Sequence, residues 1–292
     1  MRDRTGEASW SSYTENRRPD GTLASRTITG RDGSRIVSEQ LAPGAERNTV
    51  TLKDGARFTF ENDGDTQRVF DGKGRLLSEA VWTPDGPQPQ PVVMPAFRDP
   101  RRDAVERVIQ SGIALYGWWM SSKESNEEVV FGFDAYELQP GNETLPPMWV
   151  GKRTREEVNR ACERLKHVQD ATNKAATESP LTHYPNKAVR GTAIHTKVRD
   201  AVAAANDSNY KAEESTLKSR AEVPAEITKY GRKESIRVDV LERRSDDVVC
   251  VYDIKNGKSF LARARYLEIL KEVASAFPGA IRVLVIQVKP DE

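Results

Sequence analysis

Long apolar runs are missing from this chain. No stretch reaches the length of a membrane-spanning helix, and Met1-Arg2-Asp3-Arg4 leads into polar sequence with no signal-peptide core. The expectation is a soluble protein, cytoplasmic where made, with no membrane partner. Secretion into a target-cell cytoplasm would need a signal-peptide-independent system. Cysteine is scarce too: Cys162 and Cys250, the latter inside an apolar strand, offer no disulfide framework and no zinc cluster, which points to a reducing compartment. The three histidines, His167, His183 and His195, are too scattered to suggest such a cluster. Nor does one sign of charge dominate. With 45 Lys and Arg against 44 Asp and Glu, the net +1 is too balanced for a general polyanion binder. Residues 181–292 hold 20 Lys and Arg against 16 Asp and Glu, a local +4, which leaves −3 for residues 1–180.

The 292 residues have room for two or three domains. In residues 1–95, Asp-Gly recurs at Asp20-Gly21, Asp32-Gly33, Asp54-Gly55, Asp63-Gly64, Asp71-Gly72 and Asp85-Gly86, with short alternating runs such as Ala56 to Phe60 between them. Asp-Gly favours tight turns in which both central residues take positive φ, so this segment reads as a β-hairpin-rich domain. Gly86-Pro87-Gln88-Pro89-Gln90-Pro91 reads as a stiff linker at its end. Residues 96–180 read as a mainly helical connector. Val105, Val108, Ile109, Ile113, Leu115 and Tyr116 precede Trp118-Trp119, a pair that suits a core or interface anchor better than a base-stacking platform. Thr154-Arg155-Glu156-Glu157 is a capping box opening a helix to about Ala176.

Residues 181–292 carry the candidate chemistry. Ser235 to Leu241 alternates as a strand, with Arg237, Asp239 and Leu241 on one side. Val248 to Lys255 is nearly all apolar until Asp253-Ile254-Lys255, as a central strand should be. A turn centred on Ser245 sets Asp239 opposite Val251 and diagonal to Asp253, with backbones roughly 7–8 Å apart. Mg²⁺ takes oxygen ligands and is typically held by one or two carboxylates, so Asp239 and Asp253 suit it, with Lys255 placed to orient a water or steady a phosphoryl oxygen. A surface Asp–Lys pair would look the same in isolation. Against that, a charge inside an apolar strand costs several kcal/mol unless it is paired or metal-bound. Upstream, Ile194, Val198, Ala201 and Val202 form one helical stripe, and His195 lies beside it near the helix start, just after Gly191. His195 reads either as a ligand or phosphate contact, or as a boundary histidine that caps packing. Glu222 to Ile227 reads as a first strand, Ser259 to Phe277 as an amphipathic helix and Ile281 to Val288 as a closing strand.

In that order these residues resemble the PD-(D/E)xK nuclease superfamily, closest to its RecB-like branch. The Gly-x-x-x-His helix is matched by Gly191 to His195, and Asp239 and Asp253-Ile254-Lys255 follow it. Tyr266 matches the tyrosine of the branch's Gln-x-x-x-Tyr, with Ala262 in place of the glutamine. The resemblance covers roughly residues 185–290. It implies an α/β fold, a restriction-endonuclease-like αβββαβ core with a mixed sheet. It also implies Mg²⁺ (or Mn²⁺) on Asp239, Asp253 and His195, Lys255 as the catalytic lysine, and DNA as the substrate. Lys258, Arg263, Arg265 and Tyr266 would then contact nucleic acid.

Phe70-Asp71-Gly72-Lys73-Gly74-Arg75-Leu76-Leu77 is similar to the repeat of the Rhs/YD family of bacterial toxin proteins. It implies an antibacterial effector with a cognate immunity protein as partner. A small independent hairpin domain fits the same residues. The alternatives for the whole chain are a non-catalytic adaptor with a degenerate nuclease fold, and a repair or phage nuclease.

Overall fold

The repeated Asp-Gly pairs do mark turns. The computed structural model describes residues 2–3, 8–90, 92, 102–135, 148–213, 215–217, 235–256 and 263–291. Eight strands follow one another as an antiparallel meander: β1 (Trp10–Arg17), β2 (Leu23–Gly30), β3 (Arg35–Ala42), β4 (Ala45–Thr51), β5 (Arg57–Asp63), β6 (Thr66–Asp71), β7 (Leu76–Thr83) and β8 (Gly86–Pro89). In the connecting turns only glycine takes positive φ, as at Gly21, Gly33 and Gly55. The aspartates instead accept the N–H two residues on, Asp20 from Thr22, Asp32 from Ser34 and Asp54 from Ala56. The pair therefore divides its labour: Asp folds the turn through its side chain, and Gly alone supplies the left-handed residue.

Glu15–Arg26 bridges β1 and β2, and one face of the meander carries the register-matched ion pairs Arg47–Glu61 and Arg68–Glu79. Its other face buries Ile28, Ile36, Val50, Phe60 and Val69. The proline-rich stretch expected to be a linker is in fact the last strand, β8. Gln90 N–H donates inward to Glu79 O at 2.9 Å. The prolines at 87 and 89 fall on the alternate positions, whose missing N–H groups face the unpaired edge.

The chain continues through α1 (Arg102–Met120), β9 (Glu127–Phe133), β10 (Met148–Thr154), α2 (Arg155–Ala161), α3 (Leu165–Thr177), α4 (Lys187–Ala204), β11 (Tyr210–Ala212), β12 (Ser215–Leu217), β13 (Ser235–Arg237), β14 (Val240–Arg243), β15 (Val248–Ile254), α5 (Arg263–Ala276) and β16 (Arg282–Val288). A second, mixed sheet has the order β10-β9-β16-β15-β14-β11. Within it β15 and β16 are parallel, joined by α5, and β14–β15 and β16–β9 are antiparallel. The protein is thus mixed α/β, with one large antiparallel sheet and one mixed sheet. Residues 96–180 are more than a helical connector, because β9 and β10 lie in the same sheet as β14–β16. The expected first strand over 222–227 lies outside the described residues. Among the described residues no helix is long and apolar enough to cross a membrane.

Helix α1 is held between the two sheets. Trp118 and Trp119 are buried, as expected of core anchors, and Trp118 packs on Trp10 and Tyr13. At Gly112 a Cβ would stand 2.7 Å from Met148 and 3.0 Å from Phe131, so the missing side chain lets α1 sit close on β9 and β10. The sheets also meet through polar groups. Val150 on the edge strand β10 donates to Gln67 Oε1 at 2.8 Å, and Gln67 Nε2 donates to Val150 O at 2.5 Å. One amide side chain thereby satisfies both backbone groups of an edge residue, as a neighbouring strand would.

The capping box at Thr154 forms as read: Thr154 accepts Glu157 N–H and Glu157 accepts Thr154 N–H. The helix it opens stops at Ala161 and restarts at Leu165, because Cys162 is tied to Cys250 of β15 by a disulfide. This corrects the expectation that the two cysteines offer no disulfide framework. Both are fully buried. The freed N–H of Arg164 is taken by the Glu242 carboxylate at 3.2 Å.

Candidate active site

Strand β15 is buried along its whole length, and its alternation assigns a side to each residue. Val249 and Val251 pack on the side of α1 and α5, while Cys250, Tyr252 and Ile254 pack on the side of α3 and α4. Asp253 follows Val249 and Val251 by period two, so it enters the first side, with only 4% of its surface exposed.

Asp239 arrives from the neighbouring segment. The backbone leaves strand geometry at Val238 and Asp239, so the continuous strand expected over 235–241 is two short strands, β13 and β14. Leu241 pairs with Val251 and Val240 with Tyr252. One step further along that register sets Asp239 opposite Asp253, two residues from the expected partner Val251. A shift of two preserves the face, which is why the two aspartates still meet.

Helix α4 supplies His195. Asn186 caps the helix by accepting Val189 N–H at 3.0 Å. Ile194, Val198 and Val202 form its buried stripe, and Ala201 is only half-buried. His195 lies in the middle of α4 rather than near its start, because the helix begins at Lys187. Its Nδ1 is 3.3 Å from Asp239 Oδ1. Arg190 fixes the helix to the strand end, donating to Ser179 O at 2.6 Å and to Asn256 Oδ1 at 2.7 Å. Nothing described approaches Gly191, so no close backbone contact explains that glycine.

The structure therefore gathers His195, Asp239, Asp253 and Lys255. Asp239 Oδ2 accepts Ile254 N–H at 2.8 Å, and Lys255 Nζ stands 2.5 Å from Asp253 Oδ2. That last contact is a charge pair without aligned hydrogen-bond geometry, and Asp253 Oδ2 has no hydrogen-bond partner. Burial pushes Asp253 up to about 6 against the pull of Lys255, and the charge of Asp239 adds to the rise. Burial also opposes the charge on Asp239, but the His195 hydrogen bond, the charges of His195 and Lys255, and the Ile254 N–H together hold its pKa below the ordinary value. His195 is raised, chiefly by its hydrogen bond to Asp239. Two neighbouring carboxyls thus differ: Asp239 stays ionised, and Asp253 binds a proton in the mildly acidic range.

Two adjacent carboxylates are the hard-oxygen donors that Mg²⁺ takes with water. The three ligand atoms of His195, Asp239 and Asp253 do not all lie within 4.8 Å of one another. Among the described residues the one group that meets this distance is Cys162, Glu242 and Cys250, whose sulfurs are joined in the disulfide. The donor set fits a cation held by the two aspartates and water, with His195 steadying Asp239.

The expected nucleic-acid contacts fare differently. Tyr266 is fully buried, packed at a tilt against Tyr116 at 5.2 Å and Phe131 at 5.0 Å, so its ring presents no surface to a nucleic acid. Arg265 pairs with Glu268 at 3.0 Å and contributes positive charge near Asp253. Arg263 opens α5. Lys258 lies outside the described residues.

Gln287 is a site neighbour that the sequence reading missed. It is 1% exposed and pairs with Asp253 in the β15–β16 register. The signal was there, since Gln287 is the one uncharged polar side chain in the run Ile281 to Val288. Comparison with models of protein families, with curated proteins and with solved structures gave no match to this chain.

Proposed function

We propose that the chain is a divalent-metal-dependent nuclease that hydrolyses phosphodiester bonds of DNA. The convergence of Asp239, Asp253 and Lys255 at one end of the mixed sheet, with His195 bonded to Asp239, carries this reading. Asp239 and Asp253 would hold Mg²⁺ (or Mn²⁺), which when bound lowers the pKa of a water and neutralises charge growing on the phosphate. Lys255 keeps its ammonium beside Asp253, where it can orient the attacking water and meet a phosphoryl oxygen. Its backbone N–H is tied to Val288 O at 2.9 Å, so the strand end that presents it is fixed. His195 holds Asp239 ionised and oriented. The +4 balance of residues 181–292 suits a polyanionic substrate.

Plasmid cleavage in Mg²⁺, compared across the wild type, Asp253→Ala and Lys255→Ala, tests the assignment. Each variant is expected to lose cleavage at least 100-fold while still unfolding cooperatively. Equal degradation by all three would remove the assigned roles. The Rhs-like unit, which forms the β6–β7 hairpin, favours an antibacterial effector neutralised by a cognate immunity protein over a repair nuclease. Growth arrest on expression, relieved by the product of a neighbouring gene, is the expected result. Arrest that no neighbour relieves counts against the effector.

A further inference from the structure

Resting on the nuclease reading, we infer that Tyr116 of α1 is a positioning residue for Asp253, so that the catalytic unit includes a helix from outside the C-terminal segment. Asp253 and Gln287 are paired on adjacent parallel strands, and their exposures are 4% and 1%. Both are polar side chains among buried apolar neighbours on their strands. The β16–β9 ladder ends at Ile286 paired with Val130, so Gln287 lies one residue past the end of that ladder. Tyr116 takes the Gln287 N–H on its hydroxyl oxygen at 3.0 Å.

The ring of Tyr116 is buried, and its neighbours Tyr266 and Phe131 form an aromatic cluster that a phenylalanine would fill as well. A hydroxyl in such a core is unfavourable unless it bonds. Here its bond pins the end of β16 and with it the strand flanking Asp253. Nearby, Tyr266 Oη is buried without a hydrogen-bond partner, and Asp253 Oδ2 is buried against the Lys255 ammonium at 2.5 Å.

The test uses the full-length chain. Mn²⁺ binding is measured by calorimetry and the Mg²⁺ dependence of plasmid cleavage is followed, for the wild type, Tyr116→Phe and Phe131→Leu. Outer residues that orient metal ligands typically contribute about 10–100-fold to metal affinity or activity. Tyr116→Phe is therefore expected to weaken Mn²⁺ binding about 10-fold or more and to raise the Mg²⁺ needed for half-maximal rate by a similar factor, with KM for DNA unchanged. Phe131→Leu loosens the same core without touching the hydroxyl, so it is expected to lower the melting temperature and leave metal affinity alone. Wild-type metal affinity in Tyr116→Phe overturns the inference. So does a loss in Phe131→Leu as large as that in Tyr116→Phe, which would make the role one of packing. If the wild type binds Mn²⁺ but cuts nothing, the nuclease reading fails and the ratio of affinities still decides this one. If it binds no Mn²⁺, both fall.

Discussion

Asp253 is the residue where stability and function pull apart. Its folded-state pKa of about 6 stands above the ordinary 3.8, so from roughly pH 4 to pH 6 the native state keeps a proton that the unfolded chain has lost. Stability attributable to this group therefore falls as pH rises through that window, and above it the buried charge exerts its full cost. His195 has the opposite partner relation. Its pKa is raised by Asp239, so its contribution is present below 6.5 and is lost as pH climbs through the raised value. Asp253→Asn keeps the shape and removes the charge. It is expected to stabilise the metal-free protein at pH 8 by roughly 1–3 kcal/mol and to flatten the fall between pH 4 and 6. Urea titrations at several pH values read this directly, and a variant less stable than wild type at pH 8 contradicts it. In the wild type, metal binding should weaken below about pH 6, where a proton competes with the cation for Asp253.

Among the elements, the strands were more legible than their joints. Continuous apolar runs marked β15 and β16, and Asp-Gly marked the hairpins, because both signals are local. The break between α2 and α3 was not legible, since it comes from Cys162 meeting Cys250 across 88 residues of sequence. The break at Asp239 is of the same kind: β13 and β14 pair with different partners, β12 and β15. The disulfide closes a long loop and is expected to contribute about 2–5 kcal/mol, chiefly by restricting the unfolded chain. Reduction should lower the thermal midpoint by roughly 10 °C. Denatured, unreduced protein treated with iodoacetamide should gain no adduct by mass. Two adducts would show free thiols and remove the staple.

For the whole molecule, the meander and the mixed sheet share a core through α1, and the Gln67–Val150 pair joins them at an edge. The hairpins are therefore packed on the mixed sheet and are more than an appended module. Gln67→Leu leaves a buried N–H and C=O of Val150 without partners and is expected to cost roughly 1–3 kcal/mol by chemical denaturation. Removing residues 1–92 bares the apolar flank of α1 and the β10 edge. The truncated chain is expected to bind hydrophobic dye strongly or aggregate, and a sharp two-state melt of that fragment would instead show that the rest folds alone.

The amino-acid sequence by itself determined the hairpin turns, the buried central strand and the four charged residues of the candidate site, because each depends on local backbone preference or on a charge out of place in an apolar run. It also set the face on which the aspartates lie, since a slip of two residues leaves period-two parity intact. Tertiary structure decided what sits beside them: Tyr116 from α1, Gln287 from β16, and the strands β9 and β10 that complete the sheet. Those neighbours depend on which surfaces bury one another, and distant segments carry no local mark of the partner they will find.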